Sequence, residues 1–384
     1  MSLNIDELLK VMVGKKASDL HIKVGNAPTV RVDGHLEPLD PNVRLTQEDA
    51  VALAFSIMNN QQKQRFKEKS EIDLAYSAPG LGRFRVNAYQ QRGTVNLVFR
   101  AVPTKILTVQ ELRLPQVIEK MAGETRGMIL VTGTTGSGKS TTLAAIIDQI
   151  NRTRTENVIT IEDPIEFLHR DRKCLVSQRE IGADTESFST ALRSALRQDP
   201  DVILVGEMRD FETISTALIA AETGHLVLST LHTVDATETI NRIISVFPPY
   251  QQKQVRLQLA AILKGVISQR LVPKADGQGR VPAVEVMVAT QTIKECIIDP
   301  EKTRRIHDVI AAGMSQYGMQ TFDQSLAGLC REKLISYEEA LRWCSNPDDF
   351  ALKMQGVQST GDLAWEAQKP EPANEPFKVE RFGK

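Results

Sequence analysis

The sequence predicts an α/β protein in which a parallel sheet covered by helices follows a smaller α+β region. Four short apolar segments alternate with longer segments of helical periodicity, as strands and helices do in a parallel sheet. These apolar segments are residues 128–131, 158–161, 202–205 and 226–229. The N-terminal part of the chain instead shows short segments in which apolar and polar residues alternate, which is typical of antiparallel strands.

The N-terminal region, residues 1–102, is expected to combine helices with strands. A helix is predicted at residues 46–59, because Thr46 is a favourable N-cap and Asp49 follows three residues later. Predicted strands precede and follow this helix, so the region reads as a small α+β domain.

Two predicted strands of this region, residues 83–89 and 95–100, carry arginines on one face. Side chains alternate between the two faces of a strand, so Arg83 and Arg85 lie on the same side, opposite the apolar residues between and after them. Arg100 lies on the polar side of its own strand by the same rule. The sequence therefore predicts a sheet whose polar face is rich in arginine.

The segment after the first apolar strand is typical of a phosphate-binding loop. It reads Gly-Thr-Thr-Gly-Ser-Gly-Lys-Ser over residues 133–140, between a predicted strand and a predicted helix. Small residues let backbone amides surround phosphate groups, Lys139 supplies a positive charge, and Ser140 offers a hydroxyl to Mg²⁺. An ordinary glycine-rich turn is the alternative, but the flanking strand and helix favour nucleotide binding. A nucleoside triphosphate is therefore expected to contact Gly133, Thr135, Gly136, Ser137, Gly138, Lys139, Ser140 and Thr141.

An acidic cluster follows the second apolar strand. Its members are Glu162, Asp163 and Glu166. A solvated acidic loop would explain them, since such loops are common on protein surfaces. Their position at the end of a buried strand, in a protein with a phosphate-binding loop, instead favours the activation of water.

Single polar residues follow the third and fourth apolar strands. Glu207 comes directly after residues 202–205 and is the kind of carboxylate that holds Mg²⁺ or its water shell beside a phosphate loop. A lone histidine is usually structural. His232, however, comes just beyond a strand end, from which it could reach the γ-phosphate.

Composition and charge narrow the classes of function. The chain has 47 basic and 48 acidic residues and a net charge of −1, so no direct nucleic-acid partner is expected. The four cysteines lie far apart, which argues against a zinc site and leaves Mg²⁺ as the one metal indicated. No apolar run is long enough to cross a membrane, and the N-terminus does not resemble a signal peptide. The chain is expected in the cytosol unless a partner brings it to a membrane.

The C-terminal part is predicted to be mostly helical past residue 235. Residues 251–268 are the strongest helical candidate of this part. From residue 354 to residue 384 the chain is polar and interrupted by proline and glycine, so a disordered tail is expected.

Four ordered motifs of this chain resemble those of the type II/IV secretion ATPases. The phosphate loop corresponds to their Walker A motif, and residues 161–166 correspond to their Asp box. Residues 198–210 resemble their Walker B motif, and residues 222–232 resemble their His box. The similarity runs from Ser18 to Leu326 and is greatest to the pilus retraction ATPases of the family.

The resemblance implies a RecA-like P-loop ATPase core with a helical C-terminal part, preceded by a PAS-like N-terminal domain. The expected boundaries are 1–102 for the PAS-like domain, 103–118 for a linker and 119–353 for the ATPase domain. The resemblance also implies a homohexamer that hydrolyses ATP with Mg²⁺. An inner-membrane pilus platform protein and paralogous pilus ATPases are the other partners it implies, with the protein at the cytoplasmic side of the pilus base.

The resemblance also assigns roles to individual residues. Glu166 would position or deprotonate the attacking water, with Glu162 and Asp163 as supporting groups that belong to the nucleotide-binding site. Glu207 would orient the hydration shell of a Mg²⁺ bound by Ser140, and His232 would sense the γ-phosphate. Arg85 and Arg100 would act as arginine fingers, which neutralise charge as the phosphoryl group is transferred. Arg92 and Arg83 are expected to be solvated surface arginines.

Three functions fit the resemblance. Pilus retraction is the first, pilus assembly or type II secretion the second, and an accessory nucleotide-binding paralogue that modulates another motor the third. Assembly relatives commonly carry a tetracysteine zinc insert that this chain lacks, which favours retraction. Residues 292–299 depart from the element typical of retraction ATPases, because Ile298 replaces its second arginine, and this departure favours the accessory role.

Overall fold

The computed structural model describes residues 4–32, 34–103 and 105–355. Contacts between Cα atoms divide the chain into two compact units. The first unit comprises Met1–Thr108 and Leu143–Met208, and the second comprises Val109–Thr142 and the chain from Arg209 onward. The predicted boundaries at residues 102 and 118 remain predictions. The predicted tail, residues 354–384, lies outside the described residues apart from its first two positions.

The first unit opens with a six-stranded antiparallel sheet and three helices. The elements are α1 (Ile5–Gly14), β1 (Asp19–Lys23), β2 (Thr29–Val32), β3 (His35–Pro38), α2 (Gln47–Ser56), α3 (Asn60–Lys69), β4 (Glu71–Ala78), β5 (Gly82–Gln91) and β6 (Thr94–Ala101). The strands lie in the order β3-β2-β1-β6-β5-β4, and all their pairings are antiparallel.

The helix predicted at residues 46–59 is present but ends earlier, at Ser56. Thr46 caps α2 as predicted, and its side chain and that of Asp49 each accept a hydrogen bond from the other's backbone amide. The prediction is wrong past Ser56, because Asn59 and Gln62 form a second such pair that starts α3. A new cap satisfies amides that a continuous helix would have bonded internally.

Strand alternation places the arginines of this sheet as predicted. The apolar residues of β5 are buried in one hydrophobic core with α1 and α2. Arg85 pairs with Arg100 across β5 and β6, and Arg100 pairs with Asp19 across β6 and β1. Directly paired residues point to the same face of a sheet. The polar face therefore carries a row of charged side chains that crosses three strands.

The remainder of the first unit contains three parallel strands. Strand β8 lies between β10 and β9 and pairs with both in parallel. The elements are β8 (Asn157–Glu162), β9 (Leu175–Glu180), α6 (Phe188–Ala195) and β10 (Val202–Val205). The strands predicted at residues 158–161 and 202–205 are confirmed as β8 and β10.

The second unit contains four paired strands and most of the helices. Strand β7 pairs in parallel with β11 and β12, and β12 pairs with β13 as an antiparallel hairpin. The elements are α4 (Val117–Ala122), β7 (Gly127–Thr132), α5 (Lys139–Thr153), α7 (Phe211–Glu222), β11 (Leu226–Leu231), α8 (Ala236–Ser245), α9 (Pro249–Ile262), β12 (Leu263–Pro273), β13 (Arg280–Val288), α10 (Gln291–Ile298), a 3₁₀ helix (Pro300–Arg305), α11 (Ile306–Ala312), α12 (Met314–Tyr317), α13 (Phe322–Arg331), α14 (Tyr337–Trp343) and α15 (Pro347–Met354). Helix α5 continues from this unit into the first.

The helix predicted at residues 251–268 is wrong over its last six positions. Helix α9 ends at Ile262, and the next residues enter β12. Strand pairing on both sides of β12, with β7 and with β13, overrides the local helical pattern. A Cβ atom at Gly265 would lie 2.8 Å from the carbonyl oxygen of Met287, so the glycine permits this close strand pairing. Within the described residues, no helix has the length and apolar character needed to cross a bilayer.

One carboxylate, Glu285 in β13, is buried at the start of helix α8. It accepts a hydrogen bond of 2.9 Å from the backbone amide of Ala236, the first residue of that helix. Burial raises the pKa of Glu285 to about 7, against the hydrogen bond from Ala236, which favours the ionised form. The folded protein therefore keeps a proton on Glu285 at pH values where the unfolded chain releases it.

This proton makes stability depend on pH, and Glu285→Gln should remove the dependence. Between the ordinary pKa of 4.5 and about 7, the folded state binds a proton that the unfolded state has lost. The stability of the wild type should therefore fall as the pH rises through this window, by up to about 3 kcal/mol. Glutamine can still accept from Ala236 and has no charge to bury. Urea unfolding near pH 5 and near pH 8 should show the Gln variant gaining stability relative to wild type at the higher pH. An equal difference at both pH values would contradict this assignment.

Candidate nucleotide-binding and catalytic site

Three glycines give the predicted phosphate loop its shape. Gly133, Gly136 and Gly138 have φ angles of 140°, 79° and 95°, a region that side chains with a Cβ rarely adopt. A Cβ atom at Gly133 would also lie 2.5 Å from the carbonyl oxygen of Gln269. The loop therefore depends on glycine at its first position for both conformation and space.

The polar side chains of the loop fit a phosphate ligand. Lys139 is buried, and its Nζ donates to the carbonyl oxygens of Gly133 and Thr134 at 2.8 and 3.0 Å. The buried Oγ of Ser137 has no hydrogen-bond partner among the described residues. Ser140 is exposed in the first turn of α5. A buried cation and a buried hydroxyl beside a helix N-terminus fit a bound anion.

His232 is exposed directly after β11, in the same unit as the phosphate loop. Strand β11 pairs with β7 in parallel, with Leu231 opposite Thr132. His232 and Gly133 therefore follow neighbouring strands at the same edge of the sheet. The loop after His232 is well anchored, because the Thr233 and Thr239 hydroxyls lie 2.7 Å apart and are buried.

In the first unit, Glu162 is the last residue of β8, and Glu207 follows the neighbouring parallel strand β10. The amide of Gly206 donates to the carbonyl oxygen of Ile161 at 2.8 Å, which fixes the two strand ends beside each other. Glu162 accepts hydrogen bonds from Thr160 at 2.6 Å and from Gln178 at 3.1 Å.

Burial raises the pKa of Glu162, although its hydrogen bonds from Thr160, Gln178 and the backbone amide of Glu166 oppose this shift. The carboxylate of Glu162 thus accepts a hydrogen bond from the backbone of the acidic loop at Glu166 and helps to fix the loop. Asp163, the third acidic residue, is exposed.

Glu166 and Arg85, both predicted to be catalytic, form an ion pair. Arg85 Nη1 lies 3.0 Å from Glu166 Oε1, and the side chains are 40% and 44% exposed. Arg85 Nε and Nη2 make no hydrogen bond to any described residue, so these two donors are available to a ligand. The structure therefore brings together a carboxylate and a guanidinium that sequence reasoning had placed at the same chemical step.

Arg100 is held by Asp19, a residue that sequence analysis did not identify as functional. Arg100 Nε donates to Asp19 Oδ1 at 2.8 Å, while the arginine side chain is 66% exposed. Burial would raise the pKa of Asp19, but hydrogen bonds from Ser18 and Arg100 lower it below its ordinary value. A buried anion thus orients an exposed cation. The signal available in the sequence was an acidic residue at the start of a strand with polar neighbours.

The expectation that Arg83 is a solvated surface arginine is wrong. Its Nη2 lies 3.1 Å from Oε2 of Glu180, and the two side chains are only 21% and 8% exposed. A carboxylate this well buried needs a cation or hydrogen-bond donors. Arg92, by contrast, is exposed at a turn with a φ of 50°, as expected.

Comparisons with known proteins show which family this chain belongs to. The type II/IV secretion system protein family matches residues 2–334, and the chain is a member of that family. The chain is 48% identical to the type IV pilus retraction ATPase PilT of Pseudomonas aeruginosa over 348 residues, which cover 91% of this chain and 100% of that protein. It is 40% identical to the type IV pilus ATPase PilU of the same organism over 387 residues, which cover 98% and 100%.

A solved structure supports the fold class. The crystal structure of the pilus retraction motor PilT with bound ADP has a TM-score of 0.83 and 46% sequence identity, and the match covers 90% of this chain and 98% of that one. The predicted resemblance to pilus retraction ATPases and the predicted RecA-like fold class are confirmed. The roles of the individual site residues remain predictions.

Replacement of Arg85 or Arg100 by alanine should reduce ATP hydrolysis by on the order of 10³-fold, the range found for arginine fingers. Thermal unfolding should change little for Arg85→Ala, whose ion pair is exposed, whereas Arg100→Ala removes the cation that pairs with the buried Asp19 carboxylate and should lower the melting temperature. Lysine should rescue poorly, since an ammonium group lacks the planar fork of a guanidinium. Steady-state ATPase assays check this.

Arg92→Asn is the matched control for these substitutions. It removes an exposed cation from a turn, and asparagine tolerates the positive φ better than alanine does. Equal losses of activity at all three positions would indicate a general electrostatic effect. Full activity in both Arg85→Ala and Arg100→Ala would exclude the proposed role.

Proposed function

We propose that this protein is an ATP-hydrolysing motor that drives the retraction of type IV pili. The observation that carries the proposal is similarity to the retraction ATPase PilT over that protein's whole length, in a chain with an intact phosphate loop. A P-loop and strand-end carboxylates would fit many ATPases, so the site alone supports ATP hydrolysis, and the similarity supports retraction.

Residues of the phosphate loop bind the nucleotide. The amides around Gly136 and Gly138 would face the phosphates, and Lys139 would neutralise their charge. The hydroxyl of Ser140 would hold Mg²⁺, and Glu207 would orient its water shell; the metal would supply further neutralisation of phosphate charge. Ser137, whose buried hydroxyl has no partner among the described residues, is available to the ligand.

Glu166 directs the attack of water in this proposal. Its carboxylate is nearly half exposed and can reach a water molecule, whereas the Glu162 carboxylate is occupied by Thr160 and Gln178. Glu166 takes up the proton that water releases as the bond to the γ-phosphorus forms and the bond to ADP breaks. The cations of Arg85 and Arg100 balance the charge on the transferred group, and His232 senses its presence.

The motor is proposed to work as a homohexamer at the cytoplasmic side of the inner membrane, docked on a pilus platform protein. The support comes from the family resemblance. An oligomer also gives the exposed apolar side chains of the second unit a place to pack; Phe211 and Tyr250, for example, are 45% and 81% exposed.

A second candidate function is that of an accessory motor that acts with another pilus ATPase. One observation favours it. Helix α10 carries Ile298, 43% exposed, where retraction ATPases typically have an arginine.

Deletion of the gene, with counting of surface pili and twitching assays, separates these functions. Excess pili that do not retract would support the retraction motor. Loss of pili would instead indicate an assembly motor and overturn the proposal. Retraction that persists, but weakens against load, would identify the accessory motor.

Two substitutions should separate nucleotide binding from chemistry. Lys139→Ala removes a buried cation from the phosphates and should abolish ATP binding. Glu166→Gln leaves the phosphate loop intact and should bind ATP while turning over at less than about 1% of the wild-type rate. Fluorescent-nucleotide titration and ATPase assays measure the two effects. If Glu166→Gln kept its turnover and Glu162→Gln lost it, the assignment within the acidic cluster would be wrong.

A further inference from the structure

The acidic loop that carries Glu166 is held by a second, more buried ion pair. Glu180, the last residue of β9, has its side chain 8% exposed, and its Oε2 lies 3.1 Å from Arg83 Nη2. The same Oε2 accepts a hydrogen bond of 3.2 Å from the backbone amide of Ile165. One carboxylate oxygen therefore joins an arginine of β5 to the residue directly before Glu166.

The backbone of Glu180 is itself fixed. Its amide donates to Oδ2 of Asp184 at 2.8 Å, and β9 pairs in parallel with β8, so that Glu180 lies opposite Glu162. Glu180 is thus a hydrogen-bond acceptor held in place by the sheet, and the loop before Glu166 donates to it through the amide of Ile165.

Burial indicates which of the two ion pairs anchors the loop. The Arg85–Glu166 pair is 40% and 44% exposed, so water screens it and its two side chains can move. The Arg83–Glu180 pair is 21% and 8% exposed, so its charges interact through a medium of lower dielectric constant. Removal of the Arg83 side chain would leave Glu180 as a buried charge without a cation, and the loop before Glu166 would have to rearrange.

We infer that Arg83 and Glu180 are positioning residues that set the place of the Glu166 carboxylate for the hydrolytic step. Arg83 and Arg85 are two residues apart on one face of β5. The same strand therefore holds the loop through Arg83 and contacts the Glu166 carboxylate through Arg85. The inference rests on the proposed catalytic role of Glu166. Neither Arg83 nor Glu180 needs to touch the nucleotide.

The inference is tested by comparing kcat with KM for ATP in the full-length protein. Arg83→Ala should lower kcat by on the order of 10- to 100-fold, the effect of a small displacement of a catalytic group, with KM nearly unchanged. Glu180→Gln keeps an acceptor for the Ile165 amide but loses the charge opposite Arg83, and should show a smaller fall of the same kind. Arg83→Lys should recover much of the rate, because the contact uses one nitrogen only.

Hydrogen exchange measured by mass spectrometry supplies a readout that does not depend on activity. In Arg83→Ala, exchange should rise in peptides spanning residues 163–168 and stay unchanged in peptides spanning the phosphate loop. A general loss of structure would raise exchange in both. Arg92→Asn is the matched control, and it should change neither kcat nor exchange.

The outcomes distinguish this inference from the proposed function. Normal kcat in Arg83→Ala, while Glu166→Gln is inactive, overturns the positioning role and leaves the role of Glu166 intact. Normal turnover in Glu166→Gln overturns both. A raised KM with unchanged kcat in Arg83→Ala would show that Arg83 binds the nucleotide instead, and would also overturn the inference.

Discussion

Ion pairs on the polar face of the six-stranded sheet determine how the proposed catalytic groups are arranged. Arg83, Arg85 and Arg100 each meet a carboxylate, at 3.1, 3.0 and 2.8 Å respectively. Two of these carboxylates are buried and one is half exposed. The buried ones fix their arginines, whereas the exposed one, Glu166, is the group proposed to act on water. The buried carboxylates thus hold the site in place, whereas the more exposed side chains are the ones proposed to act in hydrolysis.

This arrangement has an energetic reason. A solvent-exposed ion pair contributes roughly 0–1 kcal/mol to stability, which is too little to hold a loop in place. Because so little free energy is lost when it breaks, such a pair can be replaced by a contact with a ligand. A buried carboxylate that loses its cation costs several times more. In the proposed mechanism the Arg85–Glu166 pair can therefore rearrange during hydrolysis, while the pairs of Asp19 and Glu180 persist. Glu162, whose pKa is raised by burial, also helps to fix the loop, because it accepts a hydrogen bond from the backbone of Glu166.

The sequence allowed the parallel strands, the phosphate loop and the arginine-rich face to be predicted, because each rests on local patterns. Short apolar segments gave β7, β8, β10 and β11 nearly residue by residue. The alternation of apolar and polar residues predicted correctly that Arg85 and Arg100 lie on the polar face of the six-stranded sheet. Residues 263–268 were misassigned as helix because strand pairing with distant segments decided their conformation, and no local pattern carries that information.

The supporting carboxylates could not be predicted for the same reason. Asp19 and Arg100 are 81 positions apart in the chain, and Arg83 and Glu180 are 97 apart. Asp19 begins an antiparallel strand, and Glu180 ends β9, a strand that the sequence analysis did not predict. The contacts of both carboxylates with arginines depend on strand pairings that no local pattern specifies.

Arg85 and Glu166 are proposed to act as one unit in hydrolysis, and a double-mutant cycle on kcat measures their coupling. The four proteins are wild type, Arg85→Ala, Glu166→Gln and the double variant. Groups that act together give strongly non-additive losses. We expect the double variant to be little slower than Glu166→Gln alone. A double variant slowed by the product of the two single effects would show independent action and contradict the claim.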